Sequence, residues 1–182
     1  IMGNANWWAD ANDASKLPKR GFRFLVTLDI DNKNLSYMAK SVDKPSYTVT
    51  STPHKFFNHT FHYPGRVEWN SISLTLVDAM EPNGSEALYN YLSEIGYVVP
   101  LSTAGTEITD TSITKTSAVG ATQIVKIQEI DGSGNVGGEW VLNNPFITEA
   151  NFGQQSYDSE DLMEISVTLQ YDWADYSPNV RG

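Results

Sequence analysis

Apolar and polar residues alternate along much of the chain, and this period of two predicts β-strands. The clearest run occupies residues 22–30 and places five apolar side chains on one face: Phe22, Phe24, Val26, Leu28 and Ile30. Residues 69–77 and 162–173 alternate in the same way, with an apolar face opposed to a face that carries Ser and Thr. Each of these strands is expected to turn its apolar face towards a core and its polar face outwards.

Turn signals divide the intervening segments into further strands. Residues 31–34 predict a tight turn that returns the chain as a hairpin over residues 35–40. Two more strands are predicted at residues 47–52 and 55–63, and Pro64-Gly65 predicts the end of the second. Later strands are predicted at residues 122–130, 139–142, 144–153 and 162–173, so the chain has about eight or nine in all.

One segment has the period of a helix. Its apolar residues fall at i, i+3, i+4 and i+7: Leu88, Tyr91, Leu92 and Ile95. Ser85 is a suitable N-cap, Glu86 is an acidic residue in the first turn, and Gly96 predicts the end of the helix. The pattern therefore predicts a single helix over about residues 85–95.

Residues 100–121 are rich in Ser and Thr and alternate only weakly. Their apolar residues Leu101, Ile108 and Ile113 are too few to hold the segment against its own domain. We therefore predict a long loop that is mobile in the free subunit. Its backbone groups need partners once water is excluded, so we expect it to become ordered against another subunit.

The elements together predict a mainly β fold, an antiparallel β sandwich or barrel with one flanking α-helix. The length of 182 residues suits one domain. Residues 1–21 have no strand period and predict an extended N-terminal arm, which is locally basic. Residues 22–176 form the predicted β domain, and residues 177–182 a C-terminal tail.

Composition excludes several classes of protein. The net charge of −10 argues against a nucleic-acid-binding surface, because such surfaces neutralise phosphates with Lys and Arg. The absence of cysteine excludes disulfides, thiol nucleophiles and zinc–thiolate sites. The longest apolar run, residues 97–101, is far shorter than the roughly 18–20 residues of a membrane helix. Charged residues make up only 19%, which favours partners that cover part of the surface.

Two groups of residues contain side chains that can bind a metal. His54, His59 and His62 are the only histidines, but on a strand His59 and His62 differ by an odd number of residues and point to opposite faces. Residues 131–135 begin like a calcium loop, yet Val136 replaces the glycine that such a loop requires. A glycine-rich hairpin turn explains that segment. We expect no catalytic residue, cofactor or metal.

Several short patterns of strand and turn follow one another in a characteristic order. They are Pro18-x-x-Gly21-Phe22-Arg23-Phe24-x-Val26, Lys40-x-Val42-x-x-Pro45, Pro64-Gly65-Arg66, Trp69-x-x-Ile72-x-Leu74-x-Leu76-Val77-Asp78, the predicted helix, Glu107-Ile108-Thr109, Asn144-Pro145-Phe146, and a last strand from Glu164 to Trp173. In this order they resemble the major tail-tube proteins of contractile-tailed bacteriophages. The resemblance covers most of residues 18–175.

The resemblance implies a structural protein of the virion tail, assembled in the cytoplasm of the host bacterium. Six subunits would form a ring, inner strands would join into a β barrel around a channel, and stacked rings would form the tube for DNA ejection. The implied partners are further copies of the chain and the sheath, baseplate and tail-terminator proteins. Viral DNA would pass through the lumen without specific binding, and no membrane is involved.

The basic arm and an acidic turn are the expected contacts between subunits. We predict that the arm docks on an acidic surface of a neighbouring subunit, since charge complementarity sets the register of an interface. The residues expected at the interface are Lys16, Lys19, Arg20, Asp158, Glu160, Asp161 and, in the loop after the helix, Glu107 and Thr109.

Other functions stay open at this point. The chain could be a baseplate subunit that initiates a tube, or a tube protein of a phage-derived injection or secretion system. From a different class, a small β-barrel module could bind sugar or peptide, with Trp7, Trp8, Trp69 and Trp140 as stacking platforms.

Overall fold

The computed structural model describes residues 19–30, 33–97, 112–158 and 160–178. In this part of the chain the strands are β1 (Phe24–Ile30), β2 (Lys33–Asn34), β3 (Ala39–Val42), β4 (Tyr47–Phe56), β5 (His59–Trp69), β6 (Ile72–Val77), β7 (Thr122–Ile130), β8 (Val136–Asn143), β9 (Phe146–Asn151), β10 (Glu164–Gln170) and β11 (Trp173–Pro178). The helices are α1 (Gly84–Glu94) and α2 (Lys115–Ala121), with a 3-10 turn at Ser36–Met38.

Two antiparallel sheets face each other across the core. The first has the strand order β11-β8-β7-β1-β2 and the second the order β3-β6-β10-β9. In the second sheet the alternation of β6 and β10 buries opposite pairs, including Leu76 with Ile165 and Leu74 with Val167. Fully burying such a side chain stabilises the fold by roughly 1.5–3 kcal/mol. The predicted mainly β, antiparallel sandwich is confirmed.

Helix α1 lies where the sequence predicted it, but it begins differently. The N-cap is Asn83, whose side-chain oxygen accepts a hydrogen bond of 2.9 Å from the amide of Glu86. Ser85, the predicted cap, instead bonds Asp78 at 2.6 Å. Gly96 follows the helix with a φ of +103°, a conformation that favours glycine, so the predicted end is confirmed.

The prediction of a single helix was wrong, because α2 occupies residues 115–121 of the segment predicted as a loop. Thr114 and Ser117 form a capping box at its start, and Ala118 and Ala121 are buried. A segment made of small apolar residues and of Ser and Thr resembles a polar loop in its composition. Here the Ser and Thr cap a short helix and the alanines are buried. Ile113 is exposed, and Leu101 and Ile108 lie outside the described residues. No helix in the described part of the chain could span a membrane.

The first predicted hairpin is shorter than expected. Only Lys33–Asn34 pairs back on β1, after which the chain passes through the 3-10 turn into β3 of the other sheet. Leu35 and Met38 are buried and hold this crossing against the core. At the other end of the described residues, β11 runs from Trp173 to Pro178.

Candidate assembly surface

Strands β4 and β5 form a long hairpin that belongs to neither sheet. Within the described residues they pair only with each other, from Tyr47 opposite Trp69 to Phe56 opposite His59. Every residue from 47 to 68 is exposed. A two-stranded hairpin is at best marginally stable alone in water. The long hairpin, residues 47–69, is therefore an exposed element that would be more stable if another surface covered it.

The prediction that a strand over residues 55–63 ends at Pro64-Gly65 was wrong. The chain reverses at Phe57 and Asn58, and β5 continues through Pro64 and Gly65. The register shifts between Val49 and Ser51, which marks a β-bulge. Arg66 donates its amide hydrogen to Thr50 Oγ1 at 2.9 Å, and a Cβ at Gly65 would lie 2.4 Å from that oxygen. The Pro-Gly pair therefore serves a bulge, where proline and glycine are tolerated.

The two faces of the hairpin differ in chemistry, because cross-strand partners share a face. Near the root, one face carries Tyr47 and Trp69, whose ring centroids lie 5.5 Å apart; Trp69 also packs on Tyr171 at 6.0 Å. This face of the hairpin is therefore continuous with the apolar core between the two sheets. The other face carries an aromatic cluster near the tip: His54, Phe56, His59, Phe61 and Tyr63.

All three histidines lie on the long hairpin. His59 pairs with Phe56 and His62 pairs with Pro53, so these two histidines occupy opposite faces, as their spacing predicted. The described residues contain no group of three side chains that could hold a metal ion. Lys55 and Arg66 against Glu68 give the hairpin a formal charge of +1, which leaves −11 on the rest of the chain.

Five of the eight residues predicted at the interface lie in the described part of the chain. Lys19 pairs with Glu129 of its own chain, and Arg20 is exposed. The acidic residues Asp158, Glu160 and Asp161 are exposed in the loop between β9 and β10. Lys16, Glu107 and Thr109 lie outside the described residues. Docking of the arm on a neighbouring subunit stays a prediction.

Glu129 is a buried acid that was not predicted from the sequence. It is 8% exposed and accepts hydrogen bonds from Lys19 and Lys44. Burial raises the pKa of Glu129, but the two lysines outweigh this effect and hold it below its ordinary value. Bonds to Glu129 and Tyr176 raise the pKa of Lys19. A signal was present, since Glu129 shares the strand face of Val125 and Ile127.

The predicted calcium-like segment is a hydrogen-bonded turn. Asp131 Oδ1 accepts from the amides of Ser133 at 2.8 Å and Asn135 at 2.9 Å. Those bonds lower the pKa of the Asp131 carboxyl below its ordinary value. The carboxylate is thus engaged by the turn itself, as the hairpin interpretation predicts.

The outer face of the second sheet carries hydroxyl groups. Thr75 lies opposite Ser166, Ser73 lies opposite Thr168, and Ser41 of β3 pairs with Thr75. At one end of this face Lys40 pairs with Glu164. The hydroxylated face that the sequence predicted for β6 and β10 is confirmed.

The two antiparallel sheets and the flanking helices define a mainly β fold. No protein-family model matches the chain, and no curated protein matches it. Similarity is found among solved structures.

A chain in the cryo-EM structure of the PVC extracellular contractile injection system, in its extended sheath–tube complex, is similar to this one. The TM-score is 0.63 at 16% identity, covering 93% of this chain and 98% of that chain. A chain in the anti-feeding prophage tube-terminating cap gives 0.63 at 16% identity, covering 90% and 93%. A chain in the anti-feeding prophage baseplate gives 0.63 at 12% identity, covering 89% and 97%. At these identities the comparison shows a shared fold.

Proposed function

We propose that this chain is a structural subunit that assembles with copies of itself into stacked, hexameric rings of a contractile particle's tube. The observation that carries the proposal is the long hairpin, which leaves large apolar side chains exposed: Tyr47, Val49, Phe56, Phe57, Phe61, Tyr63 and Val67. Exposed apolar patches of this kind mark interaction sites.

A second copy of the chain suits the hairpin as its partner. The hairpin is formally +1, whereas the remainder of each subunit is −11. Complementary charge steers and orients association, and burial of the aromatic cluster supplies affinity. The hairpin face that carries Tyr47 and Val49 is continuous with the apolar core of its own domain. A neighbouring subunit packed on this face would therefore extend that core.

The hydroxylated outer face of the second sheet suits the wall of a channel. Ser and Thr side chains offer no apolar patch and no array of positive charges to a moving cargo. An acidic subunit also avoids binding phosphate, because affinity for nucleic acid depends on Lys and Arg. We therefore propose that β6 and β10 face the lumen.

The fold supports two settings for such a tube. One is the tail of a bacteriophage, where the tube guides DNA and the protein belongs to the virion. The other is a phage-derived injection system, and the similarity to chains in the anti-feeding prophage and PVC structures supports it equally. A baseplate subunit that initiates the tube fits the same observations. In each setting the proposed partners include sheath and terminator proteins.

Negative-stain electron microscopy of the purified chain at high concentration tests the proposal. Rings or hollow rods are expected. Tyr63→Ser on the hairpin should reduce assembly, while Tyr89→Ser on α1 is the matched control, because these tyrosines are 58% and 57% exposed. A chain that stays monomeric at all concentrations, or two variants that assemble alike, would contradict the role of the hairpin.

A sugar- or peptide-binding module is less well supported. Trp69 packs on Tyr171, and Trp140 packs on Tyr176 with centroids 4.8 Å apart. Both tryptophans are half-buried and already used in packing. Trp7 and Trp8 lie outside the described residues. Saturable glycan binding by a monomer would favour this alternative.

A further inference from the structure

The carboxylate of Glu129 is shared between two distant parts of the chain. Its side chain is 10% exposed, and each oxygen accepts a hydrogen bond from a different lysine: Oε2 from Lys19 and Oε1 from Lys44. A carboxylate withdrawn from water is costly unless it is paired and hydrogen-bonded. The pairing is therefore a requirement of this site.

The two lysines belong to different segments of the chain. Lys19 lies in the leading segment, residues 19–23, which precedes β1. Lys44 lies between β3 and β4, three residues before the long hairpin begins. Near Lys44 the hairpin root is held by two backbone bonds of 2.9 Å, from the amide of Asp43 to Ser73 O and from the amide of Asn70 to Ser46 O.

A cleft of about 610 Å³ separates β3 from the first sheet at this point. It is lined by Phe22, Phe24 and Val42, with Lys44 and Glu129 at its sides. Lys44 spans the cleft, because its ammonium group reaches Glu129 on β7 of the first sheet while its backbone belongs to the hairpin root. The ion pair therefore ties the root of the hairpin to the opposite sheet.

Lys19 has a site of its own beside Glu129. Its ammonium group donates to Tyr176 Oη at 3.1 Å and lies 5.6 Å from the centroid of that ring. Tyr176 in turn packs on Trp140 at 4.8 Å. With the leading segment docked, Lys19 holds Oε2 of Glu129, so the carboxylate stays in place for the bond that Lys44 makes to Oε1.

We propose that Glu129 couples the leading segment to the long hairpin, so that docking of Lys19 fixes the hairpin root and release of Lys19 loosens it. Glu129 and Lys19 are positioning residues that act on the hairpin through Lys44. The coupling is a property of the single subunit. Its consequence for assembly rests on the proposed function, since a neighbour that displaced the leading segment would change the freedom of the hairpin it has to meet.

Hydrogen exchange of the full chain, in the unassembled subunit, tests this coupling. Lys19→Gln is expected to raise exchange at the amides of Asp43 and Asn70 by about fivefold, relative to amides of β10, although Lys19 contacts neither residue. Lys19→Arg should restore protection, because it retains the charge. Lys115→Gln is the matched control, since Lys115 pairs with Asp172 elsewhere and is equally exposed, at 60% against 59%.

A double variant separates coupling from independent effects. If Lys19 acts through Lys44, then Lys19→Gln should add little to the exchange already raised by Lys44→Gln. Additive effects would overturn the proposal. So would a Lys19→Gln variant that exchanges like Lys115→Gln, or one that exchanges faster throughout β10 as well. Because no ring is needed, these outcomes leave the proposed tube function untouched, and electron microscopy tests it separately.

Discussion

Gly138 on β8 allows the ring of Tyr176 to cross the strand, and its replacement by alanine gives a sharp test of this contact. A Cβ at Gly138 would lie 2.4 Å from Tyr176 Oη, 3.0 Å from Cζ and 3.1 Å from Cε2. The first separation is shorter than a Cβ contact can be and the other two are unusually tight, so the ring has to move. Tyr176 is 41% exposed and has room to swing outwards.

The movement would lose two interactions. One is the packing of Tyr176 on Trp140, worth about 0.5–1.5 kcal/mol for an aromatic pair. The other is the hydrogen bond from Lys19, worth about 0.5–1.5 kcal/mol. Replacing glycine in a strand returns roughly 0.5–1 kcal/mol. The net loss of unfolding free energy in Gly138→Ala is therefore about 1 kcal/mol, or a fall in Tm of about 2–4 °C.

Urea denaturation followed by tryptophan fluorescence measures the change in stability. Gly137→Ala is the matched control, because the nearest atom to a Cβ there is Glu129 O at an ordinary 3.8 Å. This variant should be as stable as the parent chain or slightly more so. In a Tyr176→Ala background, Gly138→Ala should cost nothing further. If Gly138→Ala and Gly137→Ala are equally stable, the argument from the ring contact is refuted.

Three further predictions concern stability. Because the pKa of Glu129 is lowered in the folded state, its contribution to stability is present above the ordinary glutamate pKa and is lost as pH falls through the folded pKa. The difference in unfolding free energy between the parent chain and Glu129→Gln should therefore narrow on acidification. Urea titrations at several pH values measure this difference. Tyr91→Phe removes the oxygen that accepts from the amide of Ile147 at 3.1 Å and should cost about 1–2 kcal/mol by thermal denaturation, whereas the exposed Tyr89→Phe should be neutral. Asn83→Ala removes the cap of α1 and should cost about 1 kcal/mol, and an unchanged helix signal with unchanged Tm would contradict the assignment of the cap.

Much of the fold followed from alternation, because alternation reports burial on one face of a strand. Strand β7 was predicted with its observed bounds of Thr122–Ile130, and the inward faces of β6 and β10 were predicted residue by residue. The helix α1 followed from its period. Helix α2 did not, since seven residues with two buried alanines give too short a pattern to stand out from a Ser- and Thr-rich loop.

The candidate site was harder to predict, for a physical reason. A period of two appears when the chain's own core covers one face, whereas the long hairpin is exposed on both faces in the single subunit. Its apolar residues therefore occur on both faces, and neither shows the clean division seen in β6. Without that division Pro64-Gly65 predicts the end of a strand, whereas the chain reverses at Phe57 and β5 continues through both residues.

The burial of Glu129 is the second feature that was not predicted from the sequence. On alternation alone it occupies an inward position of β7, where a charge should not be stable. Its partners Lys19 and Lys44 lie 110 and 85 residues away, so no local pattern reveals them. The conflict between residue type and strand face was visible in the sequence, and it marked the place where distant segments meet. In this chain, a charged residue on the buried face of a strand marks the place where distant segments meet. The long hairpin begins near that place, and its apolar side chains are not covered by the single subunit.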